Sequence, residues 1–297
     1  MTGILVVHDP AMLFSETTPQ RVVSLVPSMT ESLFDLGCGQ WLVGVSDYCN
    51  RPAATAGVTR VGGPKNARIE DILALRPDLV IANREENTQA VVEGLAAAGV
   101  RVWLTFPLTV QAALDDLWAL TRLFRSDLAR QKVSSLERSL EWVMLANAER
   151  PRRRVFCPIW QERLEDGDLW WMTFNAHTYP SDLLATLGAE NVFAQRERRY
   201  PLLADVGQVA AEAPGERDTR YPRVTRAEVL SAQPDLIVLP DEPFAYSQKD
   251  VDAMREWFAG TPAAENGNIV AVYGSLLMWP GTRLALALGE LDGLFSS

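Results

Sequence analysis

The sequence predicts an α/β protein of two Rossmann-like lobes with mostly parallel sheets, joined by one long backbone α-helix. Three observations carry that reading. Short apolar runs alternate with helical segments through the 297 residues, the pattern of parallel strands linked by crossover helices. The stretch Glu70-Asp-Ile-Leu-Ala-Leu-Arg-Pro-Asp-Leu-Val-Ile returns as Ala227-Glu-Val-Leu-Ser-Ala-Gln-Pro-Asp-Leu-Ile-Val, with short helix, Pro-Asp and buried strand in the same order. Copies so far apart fit two related lobes better than a solenoid. Between them, Thr109 to Arg150 holds neither Pro nor Gly, and Val110, Leu114, Leu117, Leu120, Phe124, Leu128, Leu136, Leu140 and Val143 recur at helical spacing. Such a helix, 109–150, spans roughly 60 Å and separates an N-terminal lobe, 1–108, from a C-terminal lobe, 151–297; the second reading is an ordinary core helix broken near Arg125 to Asp127.

The elements follow in order. Ile4 to His8 reads as a strand, followed by a Pro-containing connection. Arg21-Val-Val-Ser-Leu-Val-Pro-Ser-Met-Thr-Glu reads as a buried strand entering a helix, with Ser28 and Glu31 at capping-box spacing and Gly37 as the stop. A strand at Trp41 to Val45 leads to the loop Ser46-Asp-Tyr-Cys-Asn. Glu70 to Leu75 is a short helix before Pro77, and Leu79 to Ala82 a strand. Thr88 to Ala98 is a helix closed by Gly99, followed by a strand at Val100 to Leu104. Thr109 suits the N-cap of the long helix, while Arg150 and Arg152 to Arg154 gather where cations suit its dipole. Beyond it, Val155 to Ile159 and Ile269 to Tyr273 read as strands and Ser181 to Leu187 as a helix closed by Gly188. The segment Leu202 to Arg220, bracketed by Arg199-Tyr-Pro and Arg220-Tyr-Pro, is rich in Ala, Gly, Pro and acid and reads as an inserted loop.

A formal net charge of −10 argues against nucleic acid and anionic membrane as partners. Cys38, Cys49 and Cys157 are odd in number and widely spaced, which suggests neither a disulfide framework nor a zinc site. The first residues show no basic leader and no cleavage site, so a cytoplasmic location is expected as written, or a periplasmic or other extracytoplasmic one if a leader was removed. In α/β lobes ligands bind at the C-terminal ends of the strands, so function is expected in the inter-lobe cleft.

Several of these segments together resemble the helical-backbone (class III) solute-binding proteins, receptors of ABC importers for vitamin B12, haem and iron-siderophore chelates. The resemblance rests on Arg21 to Glu31, Leu42-Val-Gly-Val-Ser46, Arg76-Pro-Asp-Leu-Val-Ile, Leu187-Gly-Ala-Glu-Asn-Val-Phe and Gln233-Pro-Asp-Leu-Ile-Val, and runs from about residue 20 to the end. It implies a binding protein, not an enzyme, that holds a cobalamin-like corrinoid or other metal chelate for an ABC permease and acts as a monomer. No covalent cofactor and no resident metal are expected. Ligand contacts carry over to Ser28, Met29, Tyr48, Gly63 and Arg84 in the first lobe, with Trp160, Trp170, Trp171, His177, Glu242, Phe244 and Trp279 from the remainder. The Trp residues suit the flat face of a macrocycle. Docking on the permease carries over to Glu70. At the second docking position the aligned residue is Ala227, with Glu228 one place later, at capping-box distance from Thr225.

Two other functions fit the same lobes. One is a cytoplasmic chelate sensor or buffer without transport. The other is a two-lobed transferase or chelatase, although Gly62-Gly63 alone does not make a phosphate-binding fingerprint and no Ser-His-Asp or Cys-His arrangement has supporting context.

Overall fold

The computed structural model describes residues 5–14 and 17–295. It divides into two compact units: residues 1–107, 111–139 and 279–285, and residues 108–110, 140–278 and 286–297.

The first unit is built on six parallel strands: β1 (Val6–Val7), β2 (Val22–Ser24), β3 (Leu42–Val45), β4 (Thr59–Arg60), β5 (Leu79–Asn83) and β6 (Val102–Thr105). Their order is β1-β6-β5-β2-β3-β4. Of the expected first strand, Ile4 lies outside the described residues. The crossovers are α1 (Pro27–Asp35), α2 (Ile69–Ala74) and α3 (Gln89–Ala97). Val23, Val80, Ala82 and Val102 of the sheet meet Ile72 of α2 and Val91, Val92 and Leu95 of α3 in one buried cluster. Local chemistry sets the ends. Thr88 caps α3 by accepting from the Val91 amide, and Gly99 closes it at φ 86.

The segment expected as one helix is two, which corrects that part of the reading: α4 (Val110–Leu123) and α5 (Asp127–Asn147). Arg125 takes a left-handed backbone, φ 49. Its amide donates to the Arg122 carbonyl and that of Ser126 to the Thr121 carbonyl, at 3.3 and 3.2 Å. This is a Schellman stop. Ser126 then caps α5, its hydroxyl accepting from the Ala129 amide at 3.1 Å. The hydrophobic period runs through the break, which is why spacing alone suggests continuity.

The second unit has two sheets. Strands β7 (Arg153–Phe156), β10 (Ala189–Asn191), β12 (Leu236–Pro240) and β13 (Ile269–Val272) form a parallel sheet in the order β10-β7-β12-β13; β8 (Trp160–Arg163), β9 (Leu169–Met172) and β11 (Arg223–Thr225) form an antiparallel one, β11-β9-β8. The antiparallel sheet is an addition to the expected parallel architecture. It arises from a hairpin whose turn holds Gly167 at φ 92, an Asp-Gly signal flanked by charged residues. Helices α6 (Tyr179–Thr186), α7 (Leu202–Asp205), α8 (Arg226–Ala232), α9 (Gln248–Trp257), α10 (Pro262–Glu265), α11 (Ser275–Met278), α12 (Leu284–Glu290) and α13 (Asp292–Phe295) complete the chain. The inserted segment 202–220 holds α7, and its Glu212 forms an isolated bridge with Tyr200 just before it.

The internal echo recurs in the hydrogen bonding. In the first unit the Asp78 carboxylate accepts the amides of Gln20 and Arg21, while the Arg21 guanidinium donates to the Leu75 carbonyl at the end of α2. In the second, Asp235 accepts the Arg154 amide, and the Arg154 guanidinium donates to the Ala232 carbonyl at the end of α8. Each Pro-Asp thus fastens a helix end to the start of a neighbouring strand. The residue before each Pro, Arg76 and Gln233, is left-handed at φ 49 and 45.

Candidate functional site

In a parallel sheet all strands point one way, so every loop leaving a strand emerges on one edge. In the first unit, Ser28 and Met29 follow β2, Tyr48 follows β3, Gly63 follows β4 and Arg84 follows β5. The structure therefore brings these five to one edge. Tyr48 is 64 % exposed. A side chain at Gly63 would meet the Tyr48 ring at 3.3 Å and the Asn66 side-chain oxygen at 2.5 Å, so the bare backbone there gives Tyr48 its seat. The Tyr48 loop is fastened from below: Cys49 Sγ lies 3.1 Å from both Thr30 Oγ1 and Ser46 Oγ, and Arg60 donates to the Ser46 and Cys49 carbonyls at 2.8 and 2.7 Å. Burial pushes the Cys49 thiol pKa up, so it stays protonated and structural. Arg84 lies over the Phe106 ring at 5.1 Å.

Ser28 is not the cap of α1. Val26 holds the N-cap position and makes no side-chain cap bond, with Pro27 opening the helix. The Ser28 hydroxyl is buried and has no hydrogen-bond partner. Glu31, expected to complete a capping box, instead pairs with Arg283 in a buried ion pair. Arg283 also lies 5.4 Å over the Trp279 ring, and the Thr282 amide donates to Ser32 Oγ, so the segment carrying Trp279 is fixed against α1.

In the second unit the expected aromatics separate. Trp160, reached from the end of β7, is 40 % exposed. It meets Phe244 edge-on at 5.7 Å, and Phe244 lies 4.6 Å from Tyr246. Glu242 and Phe244 follow β12. Glu242 is half-buried, and a Cβ at Gly274 would come within 2.6 Å of its Cγ, so this turn tolerates only glycine opposite it. Exposed His177 precedes α6, its amide held by Asn175 Oδ1 at 3.0 Å.

Trp170 and Trp171 do not sit in loops. Both lie in β9, and neighbours along a strand face opposite ways. Trp171 is fully buried against Phe258 and Trp257, at 4.9 and 5.7 Å, with its indole N–H on Gln161. It is core and offers no face to a ligand. Trp170 is 4 % exposed and lies under Arg223 at 5.6 Å. Arg223 faces Met172 across the β9–β11 pairing, and the charges of Arg198 and Tyr200 act on Arg223; sequence reasoning did not single these four residues out. The paired Arg-Tyr-Pro brackets mark that neighbourhood, but only the β9–β11 register reveals the facing.

The two acidic candidates also differ. Glu70 is exposed in the first turn of α2. Glu228 completes a capping box with Thr225 and accepts Arg196 Nε at 2.9 Å, so it is engaged within its own unit. Among the described residues no His, Cys, Asp and Glu cluster could hold a metal ion, and no helix is long and apolar enough to cross a membrane.

The family model described as periplasmic binding protein matches residues 22–274. The chain belongs to that family. It is 28% identical to the vitamin B12-binding protein of Yersinia pestis over 221 residues, 74% of this chain and 69% of that protein. Among solved structures, the periplasmic vitamin B12-binding protein BtuF of Vibrio cholerae superimposes with a TM-score of 0.73 at 23% identity, covering 93% of this chain and 96% of that one. A periplasmic heme-binding protein from Pseudomonas aeruginosa gives 0.69 at 25%, covering 94% and 93%. These relatives are binding proteins, not enzymes. Family membership also corrects the expected cytoplasmic location, because the family and these solved neighbours are periplasmic.

Proposed function

We propose that this periplasmic binding protein is the solute receptor of an ABC importer, and that it binds a corrinoid or related metal chelate without converting it. The observation that carries the reading is the exposed Trp160, backed edge-on by Phe244 where β7 and β12 end. A large aromatic face kept open on a rigid sheet edge suits a flat macrocycle. On the first unit Tyr48, Gly63 and Arg84 share a strand-end edge of their own, with the buried Ser28 hydroxyl following β2. Relatives named for vitamin B12 and heme support a chelate as the ligand class. Glu70 is the permease contact in this proposal, and the receptor acts as a monomer.

Visible spectroscopy tests it. The purified protein is mixed with cobalamin, haem or a ferric siderophore and then desalted. Retained colour with a shifted spectrum for one of them is the expected result. Loss of all three on desalting would overturn the proposal.

A further inference from the structure

The outer face of the antiparallel sheet carries one row directly across its three strands. Trp160 of β8 stands opposite Met172 of β9, which stands opposite Arg223 of β11. Directly opposed side chains on one face are neighbours, so the exposed indole continues through a thioether to a guanidinium. Arg223 Nε and Nη1 are buried with no hydrogen-bond partner, and so is Arg198 Nε. Burial first, and the nearby Arg198 charge second, pull the Arg223 guanidinium below its usual range, while Asp205 and Tyr200 act in the opposite sense.

The surrounding carboxylates are occupied. Asp205 takes Arg196 and the amides of Arg199 and Arg223. Glu228 takes Arg196 and Thr225. Asp218 takes Arg220 through both oxygens. Arg198 rests on the Tyr200 ring at 4.3 Å and Arg223 on Trp170 at 5.6 Å. Ring faces attract a cation but leave its N–H donors unfilled. Two neighbouring guanidiniums with unfilled, buried donors make a receptor for an oxyanion, which a planar fork binds with two bonds.

We propose that Arg198 and Arg223 receive an oxyanion of the bound chelate, a carboxylate arm or a phosphodiester, at the end of the Trp160–Met172 row. The assignment rests on the chelate-receptor reading above. Two probe pairs separate the sources: haem against its dimethyl ester, and cobalamin against cobinamide, which lacks the phosphodiester. Affinities are measured by spectral titration for the parent chain and, separately, for Arg198→Gln and Arg223→Gln, so that one misfolded variant leaves the other informative. In whichever pair binds, the parent is expected to prefer the anionic member by about ten-fold or more, and each folded variant to lose most of that preference. Equal binding of both members by the parent, or a preference that survives in both variants, overturns the proposal and leaves chelate binding intact. Failure of all four probes overturns this proposal, and failure of a ferric siderophore as well removes the chelate-receptor reading with it.

Discussion

Trp160 and Trp171 show how far one residue type can diverge in role along a single hairpin. Truncating Trp171 to Ala opens a hole among Phe258, Trp257 and Phe156, and is expected to cost about 3–5 kcal/mol of stability by urea melt. Trp160→Ala should leave stability within about 0.5 kcal/mol and weaken chelate binding about ten-fold or more in a spectral titration. A single residue also sets a pH dependence. Burial, and then the charge of Asp115 beside it, push the Asp116 carboxyl up to about 7 from its ordinary 3.8. The folded chain therefore holds that proton more tightly than the unfolded one. The stability it contributes is full below the ordinary value and is lost as pH climbs through about 7. Asp116→Asn keeps the side chain neutral, so its stability relative to the parent should rise between about pH 4 and about pH 8, read from melts at both ends. The candidate residues on the first unit's strand-end edge came from the family resemblance, and the strand-to-loop order places them on that one edge. The burial of Trp170 and Trp171 was not legible, because a loop and a short strand look alike until the register of β8, β9 and β11 is known.

Helix period and strand alternation were the most legible features, and most elements fall near where the apolar spacing puts them. The stop between α4 and α5 falls where a break was only the second reading, because its left-handed position is filled by Arg125, where glycine is the usual marker. That choice predicts its own improvement. Arg125→Gly removes the strain of the left-handed backbone and should raise stability by about 0.5–1 kcal/mol in a denaturant melt. The Pro-Asp fastenings make a paired prediction. Asp78→Asn and Asp235→Asn each weaken a carboxylate that accepts strand amides, and each should cost about 1–2 kcal/mol in thermal or urea melts. A large cost at one site with none at the other would show that the two copies do not carry equal weight.

For the molecule as a whole, the α/β architecture and the family were readable because the repeated Pro-Asp segment and the order of short motifs survive at low identity. The ligand was not, because the residues that the proposal uses, such as Trp160 and Arg223, are distant in sequence and share a face only through the β8–β9 and β9–β11 pairings. The proposed permease docking belongs to this scale too. Glu70 is exposed, whereas Glu228 is tied to Arg196 and Thr225. Glu70→Lys is therefore expected to abolish stimulation of the importer's ATPase in proteoliposomes with ligand affinity unchanged. Glu228→Gln should lower the melting temperature instead. The twin Arg–Asp fastenings bear on how such a receptor changes over time. A shape secured twice, once per half, frees either half to rewrite its loops while the other goes on as before, and new cargo specificities become reachable by altering one side at a time.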